Sequence, residues 1–323
     1  MFESIDIAAA AERVAGIVRS TPLLDLPSPS PNILLKGKME NQQETGSFKC
    51  RGALNQIAQL TPEERARGVI ATSSGNHGRA LAWAAKRAGV HATIVMPADA
   101  YPNKIEACRE LGAEVVLGKD RAAAEAECRA RMASGVLLIH PYDSDRTIAG
   151  AGTVGAEIAE QWPDVEVVVV PVGGGGLIAG CSLALRRALG DKVRIYGAEP
   201  SGAPSMTLGL QAGHPVDVAQ ITTEVQGLCP ISAGALNVAI CKETVDGVFL
   251  LEDGPVFAAQ KLLIARDEVV EPAGACSLAA IHEGCLPKEL LVGRTAENPL
   301  RVAVVVSGGN PAPDQLAKIR ASL

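Results

Sequence analysis

The chain has 323 residues, 47% of them hydrophobic and 20% charged, a composition typical of an ordered globular protein that is large enough for two domains. The net charge of −6 and the lack of a basic run argue against a nucleic-acid partner, and no apolar stretch is long enough to span a membrane. Aromatic residues make up only 3%, so a core of Ala, Val, Leu and Ile is expected, which suits parallel sheets covered by helices.

The eight cysteines form no C-x-x-C pair and have no zinc-type spacing with the five histidines. The N-terminus does not resemble an export signal. We therefore expect reduced thiols and a cytoplasmic protein.

The first predicted elements are a strand at Ile33–Gly37, after an irregular loop at Leu26–Pro31, and a helix at Lys49–Leu60 with Ser47 as its N-cap. From residue 68 onward, short β-rich runs alternate with amphipathic segments, which predicts parallel strands joined by helices. The strands expected first are Gly68–Thr72, Ala92–Met96, Glu114–Leu117 and Val136–His140, and the helices between them are Asn76–Lys86, Asn103–Leu111 and Arg121–Met132.

A second series begins with a helix at Thr147–Gln161. It continues with strands Val165–Val172, Val193–Ala198 and Val302–Ser307 and a helix at Leu177–Leu189; Thr207–Asp217 and Thr222–Ala235 are predicted to be irregular. The fold class expected from this order is α/β, with two doubly wound parallel-sheet domains. A small domain at 67–144 is inserted into a large domain formed by 1–66 and 145–323.

Three predicted strands run directly into polar, glycine-rich turns, at 73–78, 173–176 and 307–310. In α/β sheets, ligands bind beyond the carboxyl ends of the strands. Glycine there leaves amide N–H groups bare for an anion, and a helix that starts after the turn adds the positive end of its dipole. Each turn alone could be a simple chain reversal, but three together indicate a ligand site.

The second turn also permits a different interpretation. Gly174 to Ala179 fits G-x-G-x-x-A after a strand, and Glu199 follows about twenty residues later, where an acid would hold a ribose hydroxyl. An NAD-dependent oxidoreductase is therefore the alternative from another class. It leaves the other two turns unexplained.

Lys49 lies in the segment Glu44–Ala53 and is predicted in the first turn of a helix. The positive end of the helix dipole favours the neutral amine, and apolar neighbours would lower the lysine pKa further. A neutral lysine is a nucleophile and can form a Schiff base with an aldehyde. From this segment alone, Lys49 could also be an ordinary surface lysine.

Five motifs occur in an order that resembles the fold-type II (tryptophan synthase β-like) pyridoxal-phosphate enzymes, specifically the serine/threonine dehydratase and serine racemase family. They are Ser47-Phe48-Lys49-x-Arg51-Gly52-Ala53, Ser73-Ser74-Gly75-Asn76-His77-Gly78, Gly173-Gly174-Gly175-Gly176-Leu177, Glu271-Pro272-Ala273-Gly274-Ala275 and Ser307-Gly308-Gly309-Asn310. The resemblance extends from about residue 20 to 311. It implies the cofactor pyridoxal 5′-phosphate (PLP) and, with the sequence ending at Leu323, a catalytic core alone.

The resemblance implies that Lys49 carries PLP as a Schiff base and removes the substrate α-proton, while Ser74 can act on the opposite face. Asn76 would bond the ring hydroxyl and Ser307 would face the ring nitrogen, and a side chain at Gly175 should weaken cofactor affinity more than stability. The full set implied for the cofactor is Phe48, Lys49, Asn76, Gly173, Gly174, Gly175, Gly176, Leu177, Glu271 and Ser307, and for the substrate Ser73, Ser74, Gly75 and His77.

Two positions depart from the family pattern. Relatives that use a divalent cation place it around Glu199 and Ala203 with an acidic residue at the position of Ser205, where this chain lacks the carboxylate. Gln226 stands where relatives carry an acid before a glycine. The cation requirement is left open by the sequence, and activity insensitive to a chelator is expected.

The resemblance implies dehydration of a small β-hydroxy amino acid, of the serine, threonine or 3-hydroxyaspartate type, to a 2-keto acid and ammonia. Racemisation of a serine-type substrate is the alternative within the family. The expected partners are a small amino acid and a second copy of the chain in a homodimer.

Overall fold

The computed structural model describes residues 2–323 and contains two sheets covered by helices. The strands are β1 Leu23–Asp25, β2 Ile33–Lys38, β3 Val69–Thr72, β4 Ala92–Pro97, β5 Glu114–Gly118, β6 Leu137–Leu138, β7 Val167–Pro171, β8 Arg194–Pro200, β9 Gly247–Leu251 and β10 Leu300–Val305. The helices are α1 Ile7–Val14, α2 Lys49–Ile57, α3 Pro62–Arg67, α4 Asn76–Ala88, α5 Pro102–Glu110, α6 Arg121–Ala133, α7 Asp145–Gln161, α8 Gly176–Leu189, α9 Ser205–Ala212, α10 Ala235–Thr244, α11 Asp253–Ile264, α12 Pro272–His282 and α13 Pro313–Ala321.

The larger sheet has the order β1-β2-β10-β7-β8-β9 and the smaller one β5-β4-β3-β6. All strand pairs are parallel except β1 with β2. Parallel pairing aligns the carboxyl ends of neighbouring strands, so the turns after them lie at one edge of each sheet.

The central strand β7 is buried on both faces because helices cover both sides of the larger sheet. Val168 and Val170 pack with α1, α7, α8 and α10, whereas Val167 and Val169 pack with α11 and α12. This explains why β7 is a continuous apolar run rather than an alternating one. Between the two sheets, α2 contacts both α4 and α7.

Most predicted elements are confirmed, and the exceptions have local causes. The predicted strand at 136–140 is reduced to two residues, Leu137–Leu138. The stretch from residue 207, predicted to be irregular, begins inside helix α9, and only its continuation to residue 234 lacks helix and strand. Ser47 as an N-cap is wrong: Phe48 precedes α2 without a side-chain cap, and Ser47 forms a β-bridge with Gly308 instead.

No helix in residues 2–323 is both long enough and apolar enough to cross a membrane.

A buried ion network attaches the start of α2 to the larger sheet. The Arg51 guanidinium donates to both Glu40 carboxylate oxygens at 2.7 and 2.8 Å and to Glu157 at 2.6 Å, and Lys38 also bonds Glu157. Both Arg51 and Glu40 are fully buried. Burial alone would raise the pKa of the Glu40 carboxyl, but Arg51 beside it holds that pKa below its usual range.

Removing the cation from this network should destabilise the fold strongly. We expect Arg51→Met to lower the free energy of unfolding by about 3–5 kcal/mol, because it leaves the Glu40 carboxylate buried without its partner. Because the folded-state pKa of Glu40 is depressed, its contribution is present at neutral pH and is lost as the pH falls through that pKa. The measurement is denaturant unfolding of both proteins from neutral to acid pH.

The matched control is Arg109→Met, which breaks an exposed ion pair with Glu106 at 3.9 Å and should change stability very little. A loss in Arg51→Met no larger than in this control would contradict the network's role.

Candidate active site

The carboxyl ends of β3 and β6 in the smaller sheet face those of β7 and β10 in the larger sheet. Three contacts cross between them: Asn76 with Glu271, Arg79 with Asn310, and the Tyr142 ring against Gly174. The three glycine-rich turns predicted from the sequence therefore meet in one cleft.

Lys49 begins α2 in this cleft, beside the turn that follows β10. The Phe48 amide donates to the Ser307 carbonyl at 3.2 Å, and the Lys49 Nζ lies 5.0 Å from the Phe48 ring centroid and donates to the Pro141 carbonyl at 2.8 Å. Burial lowers the pKa of the Lys49 amine to about 8, with Glu271 opposing the shift. A substantial fraction of this amine is therefore neutral near physiological pH, as a Schiff-base lysine requires.

The glycine turn after β7 offers an unpaired row of amides. Within residues 2–323, the N–H groups of Gly173 to Leu177 have no acceptor, whereas the carbonyls of Gly173, Gly174 and Gly175 all accept hydrogen bonds. The turn leads into the N-terminus of the 14-residue helix α8. Bare amides at the positive end of a helix dipole form a site for a phosphate group.

The glycines are required here because protein atoms surround the turn. Gly175 has φ +92°, and a Cβ there would lie 2.4 Å from Met206 Cε and 2.9 Å from Asn237 Cβ. A Cβ on Gly174 would overlap the Tyr142 ring. A valine at Gly175 would clash with Met206 and strain the backbone, so we expect it to reduce the stability of the fold as well as cofactor affinity.

The turn after β3 is shaped by Ser73, whose hydroxyl accepts from the amides of Gly75 and Gly78 at 3.3 and 3.2 Å. The Ser74 hydroxyl has no hydrogen-bond partner in the described chain, and the first-turn amides of Asn76 and His77 also lack acceptors. Ser74 therefore keeps a free hydroxyl, next to bare amides at the start of α4.

The His77 side chain points away from these amides. It is buried, its Nε2 lies 2.8 Å from the Ile139 carbonyl, and burial together with nearby Lys49 lowers its pKa to about 3. The imidazole is therefore neutral, and of the polar groups of His77 the main-chain amide remains available for a substrate.

A chain of hydrogen bonds closes the side of the cleft between α4 and the turn after β10. The Asn76 amide donates to Glu271, and its oxygen accepts from Asn310, whose own oxygen accepts from Arg79 at 2.6 Å. Burial raises the pKa of the Glu271 carboxyl. Because both polar atoms of Asn76 are already bonded, a ring hydroxyl there would have to share or replace one of these bonds.

Glu199, the acid expected to hold a ribose hydroxyl in the dinucleotide alternative, is fully buried. Its two oxygens accept from the amides of Met206 and Thr207 at 3.0 and 2.8 Å, at the start of α9. Glu199 is therefore not available to hold a ribose hydroxyl, and the dinucleotide interpretation is wrong for this residue.

Within residues 2–323, no group of three or more His, Cys, Asp or Glu side chains is arranged to hold a metal ion.

Four residues of the cleft were not given roles from the sequence: Arg79, Tyr142, Asn237 and Asn310. Tyr142 follows a predicted strand, so the strand-end rule applied to the other turns could have identified it. Asn237 donates to the carbonyls of Gly174 and Tyr142 from 63 and 95 positions away. No local sequence pattern indicates contacts of that kind.

The residues present fit PLP. The cleft provides a buried amine of lowered pKa for its aldehyde, a row of bare amides for its phosphate, and the uncharged hydroxyl of Ser307, a buried residue, on the adjoining turn. This donor set matches the chemistry of the aldehyde, the phosphate and the ring nitrogen of the cofactor.

Comparison with known proteins also indicates a PLP-dependent enzyme. The family model described as pyridoxal-phosphate dependent enzyme matches residues 14–308. The chain is 42% identical over 276 residues to an L-threonine ammonia-lyase of Thermotoga maritima, covering 84% of this chain and 66% of that protein.

Two solved structures are similar over nearly the whole length. Threonine deaminase isoform 2 of Solanum lycopersicum, in its processed form, has a TM-score of 0.89 at 33% identity and covers 98% of this chain and 91% of that one. Maize serine racemase has a TM-score of 0.87 at 33% identity and covers 99% of this chain and 97% of that one. The fold is therefore that of fold-type II PLP enzymes, and the chain belongs to the family of pyridoxal-phosphate dependent enzymes.

Proposed function

We propose that this enzyme is a dehydratase that eliminates water from a small β-hydroxy amino acid, of the serine, threonine or 3-hydroxyaspartate type, and yields a 2-keto acid and ammonia. The observation that carries the proposal is the Lys49 amine, buried with a pKa of about 8 in the cleft where the glycine turn and the Ser74 turn meet. The threonine ammonia-lyase and threonine deaminase among its relatives support the same reaction.

When bound, PLP supplies an electron sink for the charge left at the substrate α-carbon. Lys49 holds the cofactor and, once the substrate has taken its place, accepts the α-proton at Nζ. The amides of Gly173 to Leu177 hold the phosphate without a cationic side chain. Because the Ser307 hydroxyl is uncharged, the ring nitrogen beside it would stay largely unprotonated, which favours immediate loss of a β-substituent over transamination.

The substrate carboxylate is proposed to bind at the start of α4. The free amides of Asn76 and His77 point from the positive end of a 13-residue helix, which favours an anion. Ser73 supports this turn by accepting from Gly75 and Gly78, so its contribution is to shape the carboxylate site.

Racemisation is the second candidate, favoured by one observation: the Ser74 hydroxyl is unpaired, so it is free to exchange a proton with the substrate face opposite Lys49. The maize serine racemase has the same fold. Dehydration needs proton removal on one face only, whereas racemisation also needs proton return on the other.

We also propose that residues 67–144 form a small domain that closes over 1–66 and 145–323 and excludes water from the bound substrate. The contacts of Arg79 with Asn310 and of Asn76 with Glu271 would form the closed edge.

The eight free cysteines support a reducing compartment such as the cytoplasm. A homodimer is the proposed assembly.

The first test concerns Lys49. Borohydride should fix PLP to the peptide that contains Lys49, and the rate at which the yellow chromophore forms from apoprotein and PLP should rise with pH around a midpoint near 8, because only the neutral amine attacks the aldehyde. Lys49→Ala should lose both the chromophore and turnover.

Lys86→Ala is the control, since it removes another lysine, on the outer part of α4, and should keep both. Full turnover by Lys49→Ala, or a label on another lysine, would contradict the assignment.

The second test separates dehydration from racemisation. Ser74→Ala should lower keto-acid formation from the L-isomer only modestly, while turnover of a D-isomer should collapse, because the D-isomer presents its α-proton to the serine face. Keto acid and enantiomer composition are measured for both isomers. If wild type accumulates D-amino acid from the L-substrate faster than keto acid, the chain is a racemase instead.

A further inference from the structure

Glu199 is a fully buried carboxylate that the proposed reaction does not use. It lies near the end of β8, and both of its oxygens accept amide hydrogens, from Thr207 at 2.8 Å and from Met206 at 3.0 Å. First-turn amides of a helix have no partner within the helix. Glu199 therefore fixes the position of the start of α9.

Helix α9 in turn contacts the glycine turn. The hydroxyl of Ser205, a fully buried residue, donates to the Gly173 carbonyl at 3.2 Å, and Met206 packs directly against Gly175. Glu199 thus holds the amides of Met206 and Thr207, and Ser205 and Met206 contact the turn that offers bare amides.

Because the peptide bond is planar, a hydrogen bond to the Gly173 carbonyl also sets the direction of the Gly174 N–H. In a trans peptide, the C=O of one residue and the N–H of the next point in opposite directions. The Ser205 hydroxyl on the Gly173 carbonyl therefore aims the Gly174 N–H away from α9, toward the side that lacks protein acceptors. Asn237 acts in the same way at the next peptide: its amide donates to the Gly174 carbonyl at 2.7 Å and aims the Gly175 N–H.

We propose that Glu199 and Ser205 are positioning residues for the cofactor phosphate: Glu199 anchors α9, and Ser205 aims the Gly174 amide at the phosphate. This inference rests on the proposed function, which places the phosphate at Gly173–Leu177. It gives a buried acid and a buried serine a role in cofactor affinity without contact with the cofactor.

If Glu199 and Ser205 act in this way, cofactor binding should not need a divalent cation. Both Glu199 oxygens are already acceptors for α9 amides, and residue 205 carries a hydroxyl that donates to Gly173 instead of a carboxylate. Hard cations are held by several oxygen ligands, and in the part of the chain that the structure describes no group of three or more His, Cys, Asp or Glu side chains is arranged to hold a metal ion. Hydrogen bonds therefore occupy this region where a cation would otherwise be held: Glu199 bonds the start of α9, and Ser205 bonds the turn.

The test is the affinity of Ser205→Ala for PLP and for pyridoxal, which lacks the phosphate. The variant should bind PLP about tenfold more weakly, as expected for one lost buried hydrogen bond, and should bind pyridoxal as wild type does. Ser182→Ala is the matched control: it removes another fully buried serine hydroxyl, which donates to the Ala179 carbonyl, and should leave both affinities unchanged.

Glu199→Gln is the second variant, and it should show the same selective loss, because its amide nitrogen would face a main-chain N–H. EDTA should not change the PLP affinity of wild type. Unchanged PLP affinity in Ser205→Ala, an equal loss for PLP and pyridoxal, or an EDTA effect reversed by magnesium would each overturn the inference. Borohydride labelling of wild-type Lys49 is read in parallel, since its failure would instead count against the proposed function.

Discussion

The site depends on the desolvation of a single amine. Lys49 lies between the two sheets, at the first residue of a helix whose dipole and surroundings both disfavour its charge. Its position is fixed from two sides: the network around Arg51 holds α2 to the larger sheet, and main-chain bonds join residues 46–48 to the turn after β10. A fold that exposed this amine would leave it protonated and unable to attack an aldehyde.

The glycine turn after β7 presents free amides because its carbonyls are already hydrogen-bonded. The carbonyls of the glycine turn are bonded by Ser205, Asn237 and the amides of Gly234 and Ala179, which leaves the N–H groups facing the cleft. In the proposed site, these neutral amides would hold the phosphate without a charged side chain. Close packing explains the four consecutive glycines: Gly174 and Gly176 lie against Tyr142 and Gly175 against Met206, while a side chain on Gly173 would press on Leu228.

The sequence predicted the parts of the molecule that depend on local pattern. The three turns, the lysine segment and the strand-helix alternation follow from glycine placement and apolar periodicity, and the structure contains them. Helix α12 was missed because both of its sides are buried, so its sequence is almost wholly apolar and carries no amphipathic period. The assignment of Ser47 as a cap failed because a tertiary bridge to Gly308 occupies the main chain there. The bonds of Asn237 and Arg79 join distant segments, which no local rule predicts.

In the proposed reaction, this site eliminates water from a β-hydroxy amino acid. The most direct measurement is the incubation of the PLP-loaded enzyme with L-serine, L-threonine and L-threo-3-hydroxyaspartate, while 2-keto acid and ammonia are quantified together. We expect at least one of these substrates to give keto acid and ammonia in equal amounts, without added nicotinamide cofactor. If Lys49 carries PLP and none of the three gives keto acid, the enzyme is not the proposed dehydratase.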